Sequence, residues 1–346
     1  MSKTLQDYAT LINDTIQSNE INHYITTDNM RQNLGGIDTL KNINIPQGKV
    51  RSFQKDDVLL SNIRLYFRKV YKAKQKGGCS SDILVFRAKH IDSTTLFAIL
   101  SSQIFTDYAY LGSQGSKMPR GNKTHMMDFK IPTIDFTIAK IFNSIQNKIE
   151  NNHKINELLH TLAYKIYEYY FKYKPKNAKL EQIIIENPKS SIMVKNAQKT
   201  QDKYPFFTSG DNILFYPKAI IDGRNCFLNT GGNAGIKFYV GKASYSTDTW
   251  CIYANEFSDY LYLLLSSIKT HINQSFFQGT SLKHLQKNLL KKYPIYMPSA
   301  HEIKKFNQII MPLLTLISIN TRTSKKLEQI RDFLLPLLLK QQVKPQ

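Results

Sequence analysis

The sequence predicts an α+β chain. Two globular parts related by tandem duplication are each followed by a long helix, and the two helices pack as an antiparallel coiled coil. Repetition comes first among the observations that predict it. "SSDI" (80–83) precedes an apolar run ending "ILSS" (99–102), and "STDT" (246–249) precedes one ending "LLSS" (264–267). Gly115 in "QGSK" answers to Gly279 in "QGTS", and Ile131-Pro132 answers to Met297-Pro298. Four landmarks in the same order, all 164 to 166 residues apart, mark an internal repeat.

Two long seams come second. Positions 138, 141, 145, 148, 152, 155, 159, 162, 166 and 169 read I, I, I, K, N, I, L, L, I, Y. Positions 306, 309, 313, 316, 320, 323, 327, 330, 334 and 337 read F, I, L, L, N, T, L, I, L, L. A 3-4 alternation this narrow, sustained over several heptads, belongs to coiled coils rather than to broad globular faces. Each helix of roughly 35 residues spans ~50 Å and has no means of burying its stripe alone. Asn152 and Asn320 fall at corresponding seam positions. They read as a buried polar pair that sets register. Pro312 is expected to kink the second helix or to begin its straight part, and Pro336 to mark fraying near its end.

The globular parts mix strands and helices. "KDDVLLSNI" (55–63) and "DILVFRA" (82–88) read as strands, as do "DNILFYP" (211–217), "FLNTGG" (227–232) and "IKFYVG" (236–241). "TTLFAILSSQIFTDYAYL" (94–111) and "FSDYLYLLLSSIKTHINQSFF" (257–277) read as helices. The resulting division is 1–134 for the first globular domain and 135–173 for the central helix. The second domain takes 174–299, and the last helix 300–346.

Charge is the third observation. Lys and Arg number 47 against 26 Asp and Glu, a net charge of +21, in a chain that is 42% apolar and 12% aromatic. The surplus is no tail: residues 1–173 carry +8 and residues 174–346 carry +13. Such a surface meets polyanions. No run of about 18 apolar residues predicts a membrane span, and MSKTLQDYATLINDT lacks the apolar core of a signal peptide. Cys79, Cys226 and Cys251 are odd in number and far apart, which fits a reducing cytoplasm better than a disulfide framework or a zinc site.

Catalytic motifs fail one by one. "GIKFYVGKAS" (235–244) has five residues between its glycines and Ala243 where a phosphate loop needs a hydroxyl, so it reads as a glycine-rich hairpin. "NTGGNAG" (229–235) is by default a tight turn. "EIK" (302–304) offers a nuclease fragment, but a solvated helix start explains it better. The eight histidines show no ligand spacing. The chain has no Pro-Pro, and "ENPK" (186–189) lacks the aromatic that would stack a flipped base.

Basic side chains among aromatics and amides remain, a combination suited to double-stranded DNA. In the first half these are Arg64, Arg68, Lys69 and Lys72 in "SNIRLYFRKVYKAK", with Gln114 just before the loop "GSKMPRGNKTHMMDFKIP" and Lys117, Arg120 and Lys123 within it. In the second half they are Gln278, Lys283 and Lys287, with Asn233, Lys237 and Lys242 as outliers. Lys and Arg on phosphates give salt-sensitive affinity; Arg, Gln and Asn on base edges give sequence choice.

These stretches, with "HYITTDNM", "YPFFTSGDNILFY", "ASYSTDTWCIY" and "FFQGTSLKHLQKNLLKKYPIYMP", resemble the specificity subunit of type I restriction–modification enzymes over essentially the whole chain. The resemblance implies two target-recognition domains, each reading half of a bipartite DNA target. It implies helices that set the gap and dock two methyltransferase subunits, and restriction and translocase subunits joined through the complex. S-adenosylmethionine, ATP and Mg would then sit on partner subunits, with no cofactor, metal or catalytic residue in this chain and no membrane contact. The competing expectation is a self-sufficient DNA-modifying or DNA-cleaving enzyme with an unrecognised active site. Incubation of the pure chain with DNA, magnesium and S-adenosylmethionine separates the two.

Overall fold

Val58, Leu59 and Leu60 are consecutive and all buried, which requires a strand covered on both faces. The computed structural model, which describes residues 3–39, 41, 43–131, 134–197, 203–210 and 213–338, shows what covers them. Pro132 of the Ile131-Pro132 landmark and the end of the last helix expected to reach 346 lie outside the described residues. The chain divides into two units, Met1–Lys154 with Thr323–Gln346, and Ile155–Arg322.

In the first unit the strands Ala9–Ile12, Ile83–Ala88, Val58–Ser61 and Val70–Lys72 lie side by side in that order. All are antiparallel, with Ala9 opposite Ala88, Val58 opposite Phe86 and Val58 opposite Lys72. One face packs Val58, Leu60 and Phe86 on the helix residues Leu96, Phe97 and Leu100. The other packs Leu59, Ile83 and Val85 on Ile25, Phe53 and Cys79 of a second sheet. Apolar residues on successive positions therefore serve two cores.

The second unit repeats the order. Ile185–Glu186, Thr249–Tyr253, Arg224–Asn229 and Ile236–Val240 form its antiparallel sheet. Cys226 and Leu228 enter one core with Trp250 and Ile252, while Phe227 enters the other, stacked on Phe207 at 4.0 Å between ring centres. Each unit also has one parallel strand pairing in its smaller sheet, Tyr24–Ile25 with Gly77–Cys79 and Tyr204–Phe207 with Ser244–Tyr245. The three cysteines are buried and unpaired.

Each of the two mid-domain helices predicted as one is two. Ser93–Ser101 and Gln103–Leu111 are separated by Ser102, whose backbone is extended and whose Oγ accepts from Phe105 N at 3.2 Å. Ser258–Ser267 and Lys269–Ser275 are separated by Ile268. In the first case a serine cap restarts the helix, a role to which its short hydroxyl is suited.

The first long helix runs Phe136–Tyr167, and Asp135 Oδ1 caps it by accepting from Thr137 N at 2.9 Å and Ile138 N at 3.1 Å. Its last turn widens into a π-helical segment, Glu168–Lys172. The second long helix, Ala300–Leu338, begins with a capping box. Glu302 N donates to Ser299 Oγ at 3.3 Å, and Ser299 N donates to Glu302 Oε2 at 2.9 Å. That box is the role of the "EIK" glutamate. The helix runs unbroken through Pro312, which is exposed, and Pro336.

Both helices contribute to both units. In the first unit Asp135 N meets Leu338 O, Arg331 meets Gln146 and Asn152 meets Ser324, so the two segments run in opposite directions there. In the second unit Asn320 meets Asn156 and Phe306 meets Phe171, again in opposite directions.

Asn152 and Phe306 of the predicted seam are buried, but most of the buried stripe falls one residue after it. Ala139, Phe142, Gln146 and Ile149 are buried, followed by Ala163 and Tyr167. On the second helix the stripe is Ile310, Leu314 and Ile317, then Ser324, Arg331, Leu335 and Leu338. The predicted seam residues Ile141, Ile155, Leu162, Ile309, Leu316 and Ile330 are instead exposed. Nor do the two asparagines form one pair. Asn152 donates to Ser324 Oγ at 3.1 Å, and Asn320 donates to Asn156 Oδ1 at 3.0 Å. Ser324 stands 168 residues after Asn156, as Asn320 does after Asn152, so the same contact is made twice.

Candidate nucleic-acid interface

In the first unit the turn after Val58–Ser61 holds a helical step, Leu65–Phe67, flanked by two arginines with left-handed backbones, Arg64 (φ 51°) and Arg68 (φ 49°). A left-handed residue other than glycine costs roughly 1–2 kcal/mol, and such strain gathers where geometry serves function. Leu65 is plugged into the core while Tyr66 points outward.

The cationic loop closes on this turn. Gln114 and Arg120 exchange two backbone hydrogen bonds of 2.9 Å, Arg64 N donates to Pro119 O at 2.9 Å, and Gly121 N donates to Asn62 O at 3.2 Å. Gly121 leaves room for its neighbours: a Cβ there would lie 2.1 Å from Met126 Cε and push the methionine end aside. Two stretches nominated separately in the sequence are thus one surface.

Not all their cations face outward. Arg68 Nη2 donates to Ser101 O at 3.0 Å and lies 3.8 Å from Asp332, and burial pulls its pKa down. Lys69 donates to Thr27 O, with burial again lowering its pKa, and Lys72 donates to Thr94 Oγ1 at 3.2 Å. These three brace the fold from half-buried positions. Gln114, Lys117, Arg120 and Lys123 are exposed. Arg120 keeps a 2.7 Å ion pair to Asp82, whereas Lys117 and Lys123 form no ion pair with a described residue. Arg64 lies between, its Nη2 3.4 Å from Lys117 O.

The second unit joins the corresponding places. The tight turn expected for 229–235 links the strands Arg224–Asn229 and Ile236–Val240. Gly232 N donates to Lys283 O at 2.9 Å and Leu285 N to Thr230 O at 3.0 Å, so Asn233, Gln278 and Lys283 share an exposed surface. Lys237 turns away from it, donating to Thr208 O at 2.7 Å and Gly210 O at 2.6 Å. Lys287 lies 5.2 Å from the centre of the Trp250 ring, half-buried, and burial lowers its pKa.

Lys242 stands elsewhere. It follows the strand Ile236–Val240 where Asn233 precedes it, and lines an open cleft of about 530 Å³ with Lys203, Tyr204, Lys218 and Asp222. Lys203 and Lys218 were not nominated from sequence. The trace Lys218 leaves there is a place just after a turn former, Pro217, as Lys242 follows Gly241. Among the described residues no group of three His, Cys, Asp or Glu side chains stands together as metal ligands, and no helix is long and apolar enough to cross a membrane.

The arrangement is of two cation- and amide-bearing loop pairs, each beside a sheet of the same strand order. Residues 176–329 match the family of the type I restriction modification DNA specificity domain. Those residues, in the second half of the chain, are similar to a type I specificity domain, the family that the sequence resembles. The S subunit of a type I restriction–modification system from M. genitalium has a similar fold, with a TM-score of 0.64 at 15% identity over 99% of this chain and 96% of that one. The HsdS subunit from Thermoanaerobacter tengcongensis aligns over 98% of this chain and 96% of its own, at 13% identity and a TM-score of 0.37. A chain from a type I R-M system studied for complex assembly and conformational transition aligns over 98% and 97%, at 12% identity and 0.37. The sequence matches no curated protein.

Proposed function

We propose that the chain is the non-catalytic DNA-specificity subunit of a type I restriction–modification complex. Each recognition domain, 1–134 and 174–299, reads one half of a bipartite target. The observation that carries this reading is the recurrence of one sheet order with a turn and a polar loop joined at the same place. Phosphate contacts from Lys117, Arg120, Lys123 and Lys283 supply affinity, and the amides of Gln114, Asn233 and Gln278 supply choice.

The recurrence also supports a tandem duplication, and the opposed helix segments an antiparallel coiled coil that fixes the gap between half-sites. Exposed apolar residues on those helices, Ile141 and Phe333 in the first unit and Leu158 and Leu162 in the second, support docking of two methyltransferase subunits. Those partners would bind S-adenosylmethionine, and the attached restriction and translocase subunits ATP and Mg, in the cytoplasm.

The test compares the methylomes of two hosts, one carrying this chain beside its neighbouring methyltransferase and one lacking this chain alone. Loss of a single bipartite methylated motif is expected. An unchanged methylome overturns the reading.

A further inference from the structure

We propose that Tyr66 and Tyr110 are the base-reading element of the first unit, taking the 5-methyl groups of thymines in its half-site. The inference rests on the DNA-specificity reading above and names the chemistry that this one surface selects.

Tyr66 and Tyr110 are 47% and 46% exposed, with ring centres 5.8 Å apart in an edge-to-face pair. Leu111 at 82% and Met118 at 52% extend the same apolar character along the adjoining helix end and loop. Exposed apolar groups gathered like this mark an interaction site. Their setting selects the partner. Arg64 belongs to the turn that carries Tyr66, and Lys117 and Arg120 to the loop that carries Met118 and follows the helix of Tyr110. An apolar centre with a cationic rim is the complement of a DNA groove, where phosphates flank base edges and the thymine methyl is the apolar feature of the major groove.

The backbone holds the arrangement in advance. Left-handed Arg64 and Arg68 bracket Leu65–Phe67, sending Leu65 inward and Tyr66 outward, and Phe67 backs Tyr66 at 4.6 Å between ring centres. Among the described residues the corresponding turn of the second unit has no aromatic counterpart. Its turn, "TGGNAG" (230–235), offers glycines and Asn233 where the first offers aromatics. The first half-site is therefore selected by aromatic contact beside hydrogen bonds, and the second without that aromatic pair.

The test uses the full chain with its methyltransferase partner and duplexes bearing the motif that the methylome comparison returns. Thymines are replaced singly by deoxyuridine, which keeps pairing and removes the methyl. We expect roughly four-fold weaker binding at one or more positions of a single half-site, the worth of one buried methyl group. The salt slope should not change. Tyr66→Ala should erase that sensitivity and Tyr66→Phe should keep it. Indifference to deoxyuridine throughout, or undiminished sensitivity in Tyr66→Ala, overturns the proposal. So does a Tyr66→Ala variant that reads DNA normally but no longer assembles with the methyltransferase, since the patch then serves a protein partner. Equal binding of wild-type complex to motif and random duplexes would overturn the specificity reading itself, before any uracil is introduced.

Discussion

Arg331 is 1% exposed, and its Nη1 donates to Gln146 Oε1 at 3.1 Å, inside the first unit. Its Nε donates to Asp332 Oδ1 at 3.0 Å, and Gln146 Nε2 donates to Leu34 O at 2.6 Å. One repeat away, the equivalent positions of the second unit are Leu314 and Ala163, both fully apolar and buried. The same layer is therefore solved once with a charge and once with hydrocarbon. Gln146→Leu should destabilise the first unit by about 1.5–3 kcal/mol, because a buried guanidinium loses a partner. Adding Arg331→Met should recover part of that loss, as replacing both members of a buried polar pair is far milder than orphaning one. Urea denaturation of the two variants checks it, and a double variant weaker than the single defeats the argument.

Lys117 and Arg120 are exposed on the loop that closes over Arg64. Lys117→Ala with Arg120→Ala should weaken DNA binding and lower the salt slope of log K by about two, one per cation removed. A filter-binding titration across salt concentrations reads both quantities. An unaltered slope would place these side chains off the DNA.

The strain at Arg64 separates stability from binding. Glycine has no Cβ to oppose a φ of 51°, so Arg64→Gly should cost little stability or add up to about 1 kcal/mol. It should at the same time reduce DNA affinity. If melting temperature and affinity fell together, the residue would be structural.

His160 is packed beside Tyr262, whose hydroxyl is 3.3 Å from its Nδ1, and burial lowers its pKa. The folded chain then binds a proton less readily than the unfolded one. Its contribution to stability is full above the ordinary histidine pKa of about 6.5 and is lost as the pH falls below that value. The melting temperature should drop between pH 7.5 and 5.5, and drop less in His160→Gln. Parallel curves for both proteins would assign the acid loss to other groups, among them His153 and His23, whose pKa values burial also lowers.

Much of the architecture is legible in the sequence because covered strands must be apolar throughout, as "VLLS" is, and because landmarks recur at a fixed spacing. The phase of the helix seam is not. The helices carry two apolar stripes one residue apart, and the richer in Ile and Leu is half-buried to exposed along most of its length. The buried stripe uses Ala139, Gln146, Asn152, Ala163, Ser324 and Arg331, small or polar residues that hydrophobic counting passes over. The interface shows the same division. Lys117 and Arg120 stand out as a cationic loop, but only tertiary contacts reveal that Lys69 and Lys237 point inward to carbonyls.

The first unit is a discontinuous stretch of chain, completed by residues from Thr323 onward, while the second is the single stretch Ile155–Arg322. On a translating ribosome the order of folding is therefore inverted. The segment made first can pack Phe142 on Phe97 but waits for the one made last to add Leu335 and Leu338 to the same core. Meanwhile the segment made in between already holds every strand and helix of its own fold.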